Sequence, residues 1–405
     1  MASRRAACCL FLLAYLLSGI SVPADDDPVA AFASQIAPVL SEAVEAAAES
    51  RAYRTGLTVP SVTKSMLDGF VAGLGDPYAA VVDLEALGRS RGQSHGHSAA
   101  GRRSVESGLI LDSDEYGRLT VASVLPDSPA EAAGLRAGER ILRIHETNAS
   151  SLAPWEALAA IRVHSESGAV RLVVEDDASA PREVAITSRE FTVRSVTLRI
   201  GDLRWGRFRE HERGRVAWVR VHTFLGKSTQ EEWNRAVADI RQTPSIETLI
   251  LDLRDNGGGD NSNLRILGDL LPQGKPLVSF EAVVGDAGWR EQVRNAFIPR
   301  GRLISYPAAV LVNRNTASLA GIFAAALQDI RQLTVVGERT RGKGTTQTWL
   351  TVGERYAIHL TVGRWRSPAG RSVDGVGIEP DIIEAGGSDA LLSAAVKAVD
   401  RRRHR

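Results

Sequence analysis

Ser318 is the residue whose position points most directly to chemistry. Residues 309–312 form an apolar run typical of a buried strand, residues 313–316 are turn formers, and residues 319–330 are rich in helix formers. Ser318 is therefore predicted at a strand-to-helix turn. There the free N–H groups of the first helical turn can stabilise negative charge on an attacked carbonyl oxygen. The alternative is a serine that only caps the helix.

A glycine-rich loop is the second candidate feature. Residues 247–253 form a nearly continuous apolar run, typical of a strand covered on both faces of its sheet, and Gly257, Gly258 and Gly259 follow it. Glycines allow a backbone to approach a ligand closely, so Gly258 or Gly259 can supply a second N–H to an oxyanion. An ordinary connecting loop is the alternative.

Lys343 is the candidate base for the serine hydroxyl. A lysine is protonated near neutral pH, but burial in an apolar pocket can lower a lysine pKa by several units, and the neutral amine can then accept a serine proton. Gln347 lies one helical turn or two strand steps further on and can hold the amine by a hydrogen bond. The alternative is a solvated lysine. His222 and His359 are predicted in strands, with structural roles.

The same segment has a competing interpretation as a phosphate-binding loop. Gly337, Gly342 and Lys343 match most of that motif, but Gly344 stands where a serine or threonine hydroxyl must hold Mg²⁺. Catalysis by a serine and a lysine explains more of the segment.

Composition and the first residues restrict the class of protein. The 405 residues carry a net charge of +1, which argues against a nucleic-acid partner, and the length suits two or three domains. Residues 1–24 have two early arginines, a short apolar core and small residues before Asp25, as in a signal peptide. A membrane anchor is the alternative. Both cysteines lie in this segment, so the mature, exported chain is expected to have no disulfide and no cysteine metal site.

The region before residue 104 is predicted to be helical and then irregular. Residues 26–51 and 61–74 have helical apolar spacing, with Gly75 ending the second helix. Residues 88–103 read as a linker. His95 and His97 within it have no carboxylate partner nearby, so we expect no metal site there.

Residues 104–188 are predicted to form a separate β-rich domain. Strands are expected at 119–124, 138–144, 170–175 and 183–187, with helices at 128–135 and 154–162. The segment from Ser128 to Leu142 resembles the signature of PDZ domains in exported proteases. The resemblance implies that an extended peptide binds as an added strand, with its terminal carboxylate on the backbone N–H groups of Ser107, Gly108, Leu109 and Ile110. A purely structural domain is the alternative.

The complete set of motifs resembles the carboxyl-terminal processing (tail-specific) serine peptidases. The resemblance covers most of the mature chain and rests on several blocks in the expected order. These are Leu74-Gly-Asp-Pro-Tyr78, the PDZ-like signature, the segment from Ile250 to Gly259, Val310-Leu-Val-Asn313, Ala317-Ser318, the segment from Gly342 to Gln347, and the segment from Ser367 to Asp381.

This resemblance implies a function, a fold and a set of roles. Ser318 would be the nucleophile, Lys343 the general base and Gln347 its support, with the oxyanion held by the N–H of Leu319 and by a glycine of residues 257–259. The implied fold is multidomain α+β: N-terminal helices (25–103), a PDZ-like domain (104–188), an α/β core of the ClpP/crotonase type (189–385) and a C-terminal helix with a basic tail (386–405).

The predicted protein is an exported, periplasmic or extracellular serine endopeptidase that needs no cofactor or metal. Its partner would be a protein or peptide with a free C-terminus, and an adaptor or a homo-oligomer is possible. Leu319 and Gly321 depart from the small residue and the glutamate that the family usually has there. These departures keep an inactive PDZ-containing peptide-binding scaffold as the alternative function.

Overall fold

The structure is a computed structural model that describes residues 39, 59–85, 103–104, 107–176, 179–187, 189–272, 278–283, 289–294 and 301–403. The predicted signal peptide lies outside the described residues. So do the first predicted helix, apart from Val39, and the linker with its two histidines, apart from Arg103. No helix in the described ranges is long and apolar enough to cross a membrane.

Helices and strands alternate along most of the described chain. The helices are α1 (Val59–Leu74), α2 (Pro129–Ala132), α3 (Pro154–Ser167), α4 (Lys227–Gln242), α5 (Leu319–Arg331) and α6 (Ser388–Arg403), with 3-10 helices at Ala149–Ser151 and Asn261–Asp269. The strands up to residue 221 are β1 (Ala80–Asp83), β2 (Arg103–Ser104), β3 (Leu109–Ser113), β4 (Leu119–Val124), β5 (Arg140–Ile144), β6 (Thr147–Asn148), β7 (Val170–Glu175), β8 (Arg182–Ile186), β9 (Phe191–Thr192), β10 (Val196–Arg204), β11 (Arg207–Glu210) and β12 (Val216–Val221). The remaining strands are β13 (Thr248–Asp252), β14 (Val278–Val283), β15 (Trp289–Arg294), β16 (Ala308–Val312), β17 (Thr334–Gly337), β18 (Thr345–Val352), β19 (Tyr356–Arg366) and β20 (Ile382–Ile383).

The chain divides into two compact units, of which the smaller contains residues 1–89, 280–292 and 345–364. Its sheet has the order β1-β19-β14-β15, and β18 pairs with β19 as a long antiparallel hairpin. Helix α1 buries Val71 in a cluster with Val81, Tyr356 and Ile358. It ends as predicted, at Gly75, whose φ of 67° is left-handed.

The larger unit contains residues 90–279, 293–344 and 365–405, and its first part is a six-stranded antiparallel sheet. The order is β3-β4-β5-β7-β8, with β6 on β5, so β3 lies at an edge. Ser128 caps α2 by accepting the N–H of Glu131, and Pro129 occupies the first helical position. Helix α3 buries Ala157 and Ile161 in the same core as Leu109 of β3.

The second part of the larger unit is a seven-stranded sheet with the order β11-β10-β12-β13-β16-β17-β20. Strands β12, β13, β16, β17 and β20 are parallel, β10 is antiparallel to β12, and β11 is antiparallel to β10. Every residue of β13 and β16 is buried, as the apolar runs predicted. Helix α6 covers one face, with Leu391, Leu392 and Ala395 packed on the central strands.

Candidate active site

Ser318 lies at the predicted turn between β16 and α5, in a strained backbone conformation. Its φ of 50° and ψ of −125° are unusual for a residue with a side chain, and its hydroxyl makes no capping hydrogen bond. A serine that only capped α5 would be in the extended region and would accept a helix N–H. Such strain persists only where the surrounding structure imposes it, and it is common at functional sites.

The glycine loop and the Ser318 turn meet because they follow neighbouring parallel strands. β13 and β16 are paired, so the chain segments after their carboxyl ends lie at the same edge of the sheet. Gly258, with φ of 105°, packs so closely on the turn that a Cβ there would be 2.7 Å from Ser318 Cβ. Glycine is therefore required at this position.

Asn256 fastens the two segments to each other. Its carbonyl accepts the N–H of Ala317 (3.0 Å). Its side chain donates to the carbonyl of Val221 (2.8 Å) and accepts the N–H of Gly258 (2.8 Å). Asn256 is fully buried, so these bonds are shielded from water and hold the loop beside Ser318.

Some N–H groups around Ser318 already donate a hydrogen bond and others do not. Gly257 donates to Ser123 Oγ (3.1 Å), and Gly258 donates to the Asn256 side chain. Within the described part of the chain, the N–H groups of Leu319 and Gly259 have no acceptor. The carbonyl of Gly258 accepts from Thr223 Oγ (3.2 Å) and from the N–H of Phe224 (3.0 Å), which fixes the peptide plane between Gly258 and Gly259.

Lys343 is buried, with 8% of its side chain exposed, and its ammonium donates to Asp112 Oδ2 at 2.5 Å. Asp112 belongs to β3, so this ion pair joins residues 231 positions apart. Among the described residues, no hydrogen bond connects the Ser318 hydroxyl to Lys343. The sequence offered no signal for Asp112, because nothing local predicts a contact over so long a separation.

The phosphate-loop interpretation of this segment is wrong in its structural context. A phosphate-binding lysine precedes a helix whose N-terminus faces the anion. Lys343 instead precedes strand β18, and its charge is matched by a carboxylate.

Gln347 lies in β18, two residues after Thr345 and within the smaller unit. Its amide donates to Thr345 Oγ (2.9 Å) and to Thr361 Oγ (3.2 Å). Both bonds orient the side chain on the hairpin. Its proposed role beside Lys343 stays a prediction.

Two other titratable groups at this edge of the sheet have structural roles. Burial, reinforced by the charge of Arg220, lowers the pKa of His222 to about 3, so the imidazole is neutral, and its Nε2 lies 3.1 Å from Thr197 Oγ. Burial alone would raise the pKa of Asp252, but hydrogen bonds from Arg254 outweigh it and leave the pKa below its ordinary value. Asp252 is therefore a charged anchor and not a general base. Among the described residues, no group of three metal-ligating side chains is present.

Comparison with known proteins accounts for this architecture. The family model described as peptidase family S41 matches residues 215–384, and the PDZ domain model matches residues 94–175. The carboxy-terminal-processing protease of Bartonella bacilliformis is 27% identical over 81% of this chain and 71% of its own length. Residues 215–384 thus match peptidase family S41, and most of the chain is similar to carboxyl-terminal processing peptidases. It has their multidomain α+β fold with a PDZ domain.

Two further proteins are similar to this chain. The chloroplastic C-terminal processing peptidase of Tetradesmus obliquus is 27% identical over 77% of this chain and 66% of its own length. The solved photosystem II D1 C-terminal processing protease is similar in fold, with a TM-score of 0.68, 23% identity, and coverage of 98% of this chain and 96% of that chain.

The six-stranded sheet is the PDZ domain. Besides the ion pair with Lys343, it makes further contacts with the candidate site. Ser123 of β4 accepts the Gly257 N–H, and a Cβ on Gly257 would be 2.7 Å from Ala122 Cβ. Asn315, in the turn before Ser318, donates to the carbonyl of Ala137 (2.9 Å). The PDZ domain thus contacts the glycine loop and the nucleophile turn as well as the lysine.

The predicted carboxylate-binding residues are brought together at the start of β3. Gly108 has φ of 79°, and a Cβ there would lie 2.2 Å from Ser128 Cβ, so only glycine fits. The carbonyls of Ser107 and Gly108 accept N–H groups from Ala130 and Leu125, which fixes the loop. Binding of a peptide by Ser107, Gly108, Leu109 and Ile110 stays a prediction.

Proposed function

We propose that this peptidase cleaves proteins near their C-terminal tails with Ser318 as nucleophile and Lys343 as general base. The observation that carries the proposal is the conformation of Ser318. This residue is strained, lies at the N-terminus of α5, packs against a glycine loop and makes no capping hydrogen bond. Lys343 is the buried lysine proposed as the base once it leaves Asp112, and among the described residues His222 and Asp252 are not suited to that role.

The reaction would follow the order of serine acyl transfer. Neutral Lys343 takes the hydroxyl proton of Ser318 while Oγ attacks the scissile carbonyl, and the lysine then gives the proton to the leaving amine. Water hydrolyses the acyl-enzyme by the reverse proton transfers. Leu319 N–H is one oxyanion donor, and in the present arrangement Gly259 offers the other, because the N–H groups of Gly257 and Gly258 are already used. Gln347 is the proposed support of the amine.

The tail of the substrate is proposed to bind to β3. This strand lies at the edge of its sheet, so an extended peptide can pair with it, with the terminal carboxylate at Ser107, Gly108, Leu109 and Ile110. Leu109 and Leu111 of β3 share a core with α3, and this helix would form the other wall of the groove.

Tail binding is further proposed to control the base. Asp112 lies on the strand that would receive the tail and holds the ammonium of Lys343. An ammonium paired with a carboxylate has no lone pair for a proton, so the present arrangement is a resting state. A peptide added to β3 would shift Asp112 and release the amine for Ser318.

The remaining proposals concern location. We propose that residues 1–24 are removed as a signal peptide and that the mature enzyme acts outside the cytoplasm. Mass spectrometry of the purified mature protein would then find Asp25 as the first residue.

The test of activity uses an unfolded protein substrate with a free C-terminus. The parent should cut it, and Ser318→Ala and Lys343→Ala should each lower the cleavage rate by at least about 10³-fold. Lys227→Ala, at an exposed lysine of α4, is the control and should leave the rate unchanged.

Tail binding is measured in parallel, by anisotropy of a labelled tail peptide. Ser318→Ala should bind the peptide as the parent does, and Lys343→Ala should bind it at least as tightly, because it lacks the ion pair that tail binding is proposed to break. Peptide binding without cleavage by the parent would support the scaffold function instead.

A further inference from the structure

The hairpin β10–β11 presents an exposed tryptophan at its tip. Trp205 is 94% exposed, and it connects the two strands together with Gly206. The hairpin itself is well anchored, since Phe208 packs edge-on against Trp218 with ring centroids 5.4 Å apart. The indole is therefore exposed on a hairpin that is anchored by packing.

Trp205 also has a backbone conformation that is unusual for a bulky side chain. Its φ is 52° and that of Gly206 is 75°, which is the pattern of a type I′ hairpin turn. Asparagine and glycine are the preferred residues at the first position of this turn, whereas a bulky side chain at positive φ is strained. An exposed, strained indole contributes nothing evident to the fold.

The side chains around the tip form a cationic face. Arg204 and Arg207 are directly opposite in the β-ladder, and Arg209 follows on the same face. All three are exposed, and within the described part of the chain none has an ion pair or a side-chain hydrogen bond. Like charges directly opposite destabilise a hairpin, so this arrangement is costly unless an anion binds there.

The acidic groups near the tip are already engaged. Asp202 accepts from His211 (2.9 Å) and from the Arg215 N–H (2.9 Å). Glu210 pairs with Arg199 at 2.8 Å. Asp202 also lies directly opposite Arg209 in the ladder and offsets part of its charge, whereas Arg204 and Arg207 have only each other as ladder partners.

The outer edge of β11 is also occupied, because the Phe208 N–H donates to Asp389 of α6 at 3.0 Å. This bond disfavours the addition of a peptide strand to β11.

From these observations we propose that the tip, residues 204–209, docks the peptidase on an anionic membrane surface. An indole with apolar body and polar N–H suits the lipid headgroup region, and arginines beside it attract anionic lipids. A membrane surface explains the exposed indole and the cations together, whereas a soluble anion would explain only the cations. This inference is independent of the proposed peptidase mechanism.

The test is sedimentation of the purified protein with vesicles of phosphatidylcholine alone or with 30% phosphatidylglycerol, a composition chosen for about physiological surface charge. Binding should require the anionic lipid and should weaken as salt is raised. Arg204→Gln with Arg207→Gln should lower the partition coefficient about 25-fold, at about fivefold for each arginine near the surface.

Trp205→Asn removes the indole and keeps the arginines, so it tests the indole separately from the charge. Asparagine suits the turn and should not harm folding. It should lower partitioning at least about threefold. The matched control is Tyr116→Asn, at a 71% exposed aromatic on another turn, whose neighbour Arg118 is paired with Asp114. This control should partition as the parent does.

All tip variants should retain peptide cleavage, so the result does not depend on the proposed catalytic residues. Equal partitioning to both vesicle types, or unchanged partitioning in both tip variants, would overturn the inference. Tip-dependent binding to soluble heparin without binding to anionic vesicles would also overturn it and indicate a polyanion as the ligand.

Discussion

At the scale of single residues, the site depends on positions where only one kind of side chain fits. Ser318 is strained, Gly258 has no room for a Cβ beside it, and Asn256 ties both to the end of β12. The sequence predicted Ser318 and the glycines from local pattern alone, because strand, turn and helix signals are short-range. It could not predict Asp112 or Ser123, whose roles come from contacts between distant segments.

His222 provides a prediction about pH at this scale. Its folded-state pKa, about 3, lies below the ordinary value of 6.5, so the neutral imidazole stabilises the fold above pH 6.5 and this contribution is lost as pH falls. Between pH 7 and pH 5 the parent should lose about 1–2 kcal/mol of unfolding free energy from this group.

The measurement is urea unfolding at both pH values for the parent and for His222→Gln. The variant should lack that part of the loss. An equal loss in the two proteins would mean that His222 is protonated in the folded state near pH 5.

At the scale of elements, periodicity predicted the apolar strands well and the polar hairpins poorly. Strands β4 and β7 have the predicted bounds, because their buried faces leave a clear pattern. The hairpin β10–β11 was not predicted, and of the hairpin β18–β19 only a strand at His359 was predicted. Their strands alternate polar and half-buried residues, and β10 contains Gly201, so the local signal is weak.

Strand β3 combines two proposed roles, as the receiver of the substrate tail and as the carrier of Asp112. Asp112→Asn should therefore raise the basal cleavage rate of a short peptide whose C-terminus is amidated, by about tenfold, since the variant holds the lysine less tightly. Addition of a separate tail peptide with a free carboxylate should stimulate the parent more than the variant.

Asp114→Asn is the control for that experiment, because its carboxylate pairs with Arg118 on the same hairpin and not with Lys343. Its basal rate should equal that of the parent. A slower Asp112→Asn enzyme would show that this carboxylate assists catalysis, and the gating proposal would then fail.

At the scale of the whole molecule, the PDZ domain and the peptidase core of the larger unit are joined at the candidate site. The contacts involve the proposed base Lys343 itself, and Gly257 and Asn315, which are close in sequence to residues with proposed catalytic roles. The family resemblance predicted the two domains and their order. The predicted domain boundaries stay predictions, and the contacts could not be foreseen, because they depend on how two folded surfaces meet.

The most direct test of the central claim is a double-mutant cycle on cleavage, with Ser318→Ala, Lys343→Ala and the combined variant. Two residues that act as one catalytic unit are strongly non-additive. We predict that all three variants fall to the same residual rate. Their thermal unfolding is measured in parallel, because Lys343→Ala also removes the buried ion pair with Asp112. A combined variant much slower than either single variant, or substantial cleavage by Lys343→Ala, would contradict the dyad.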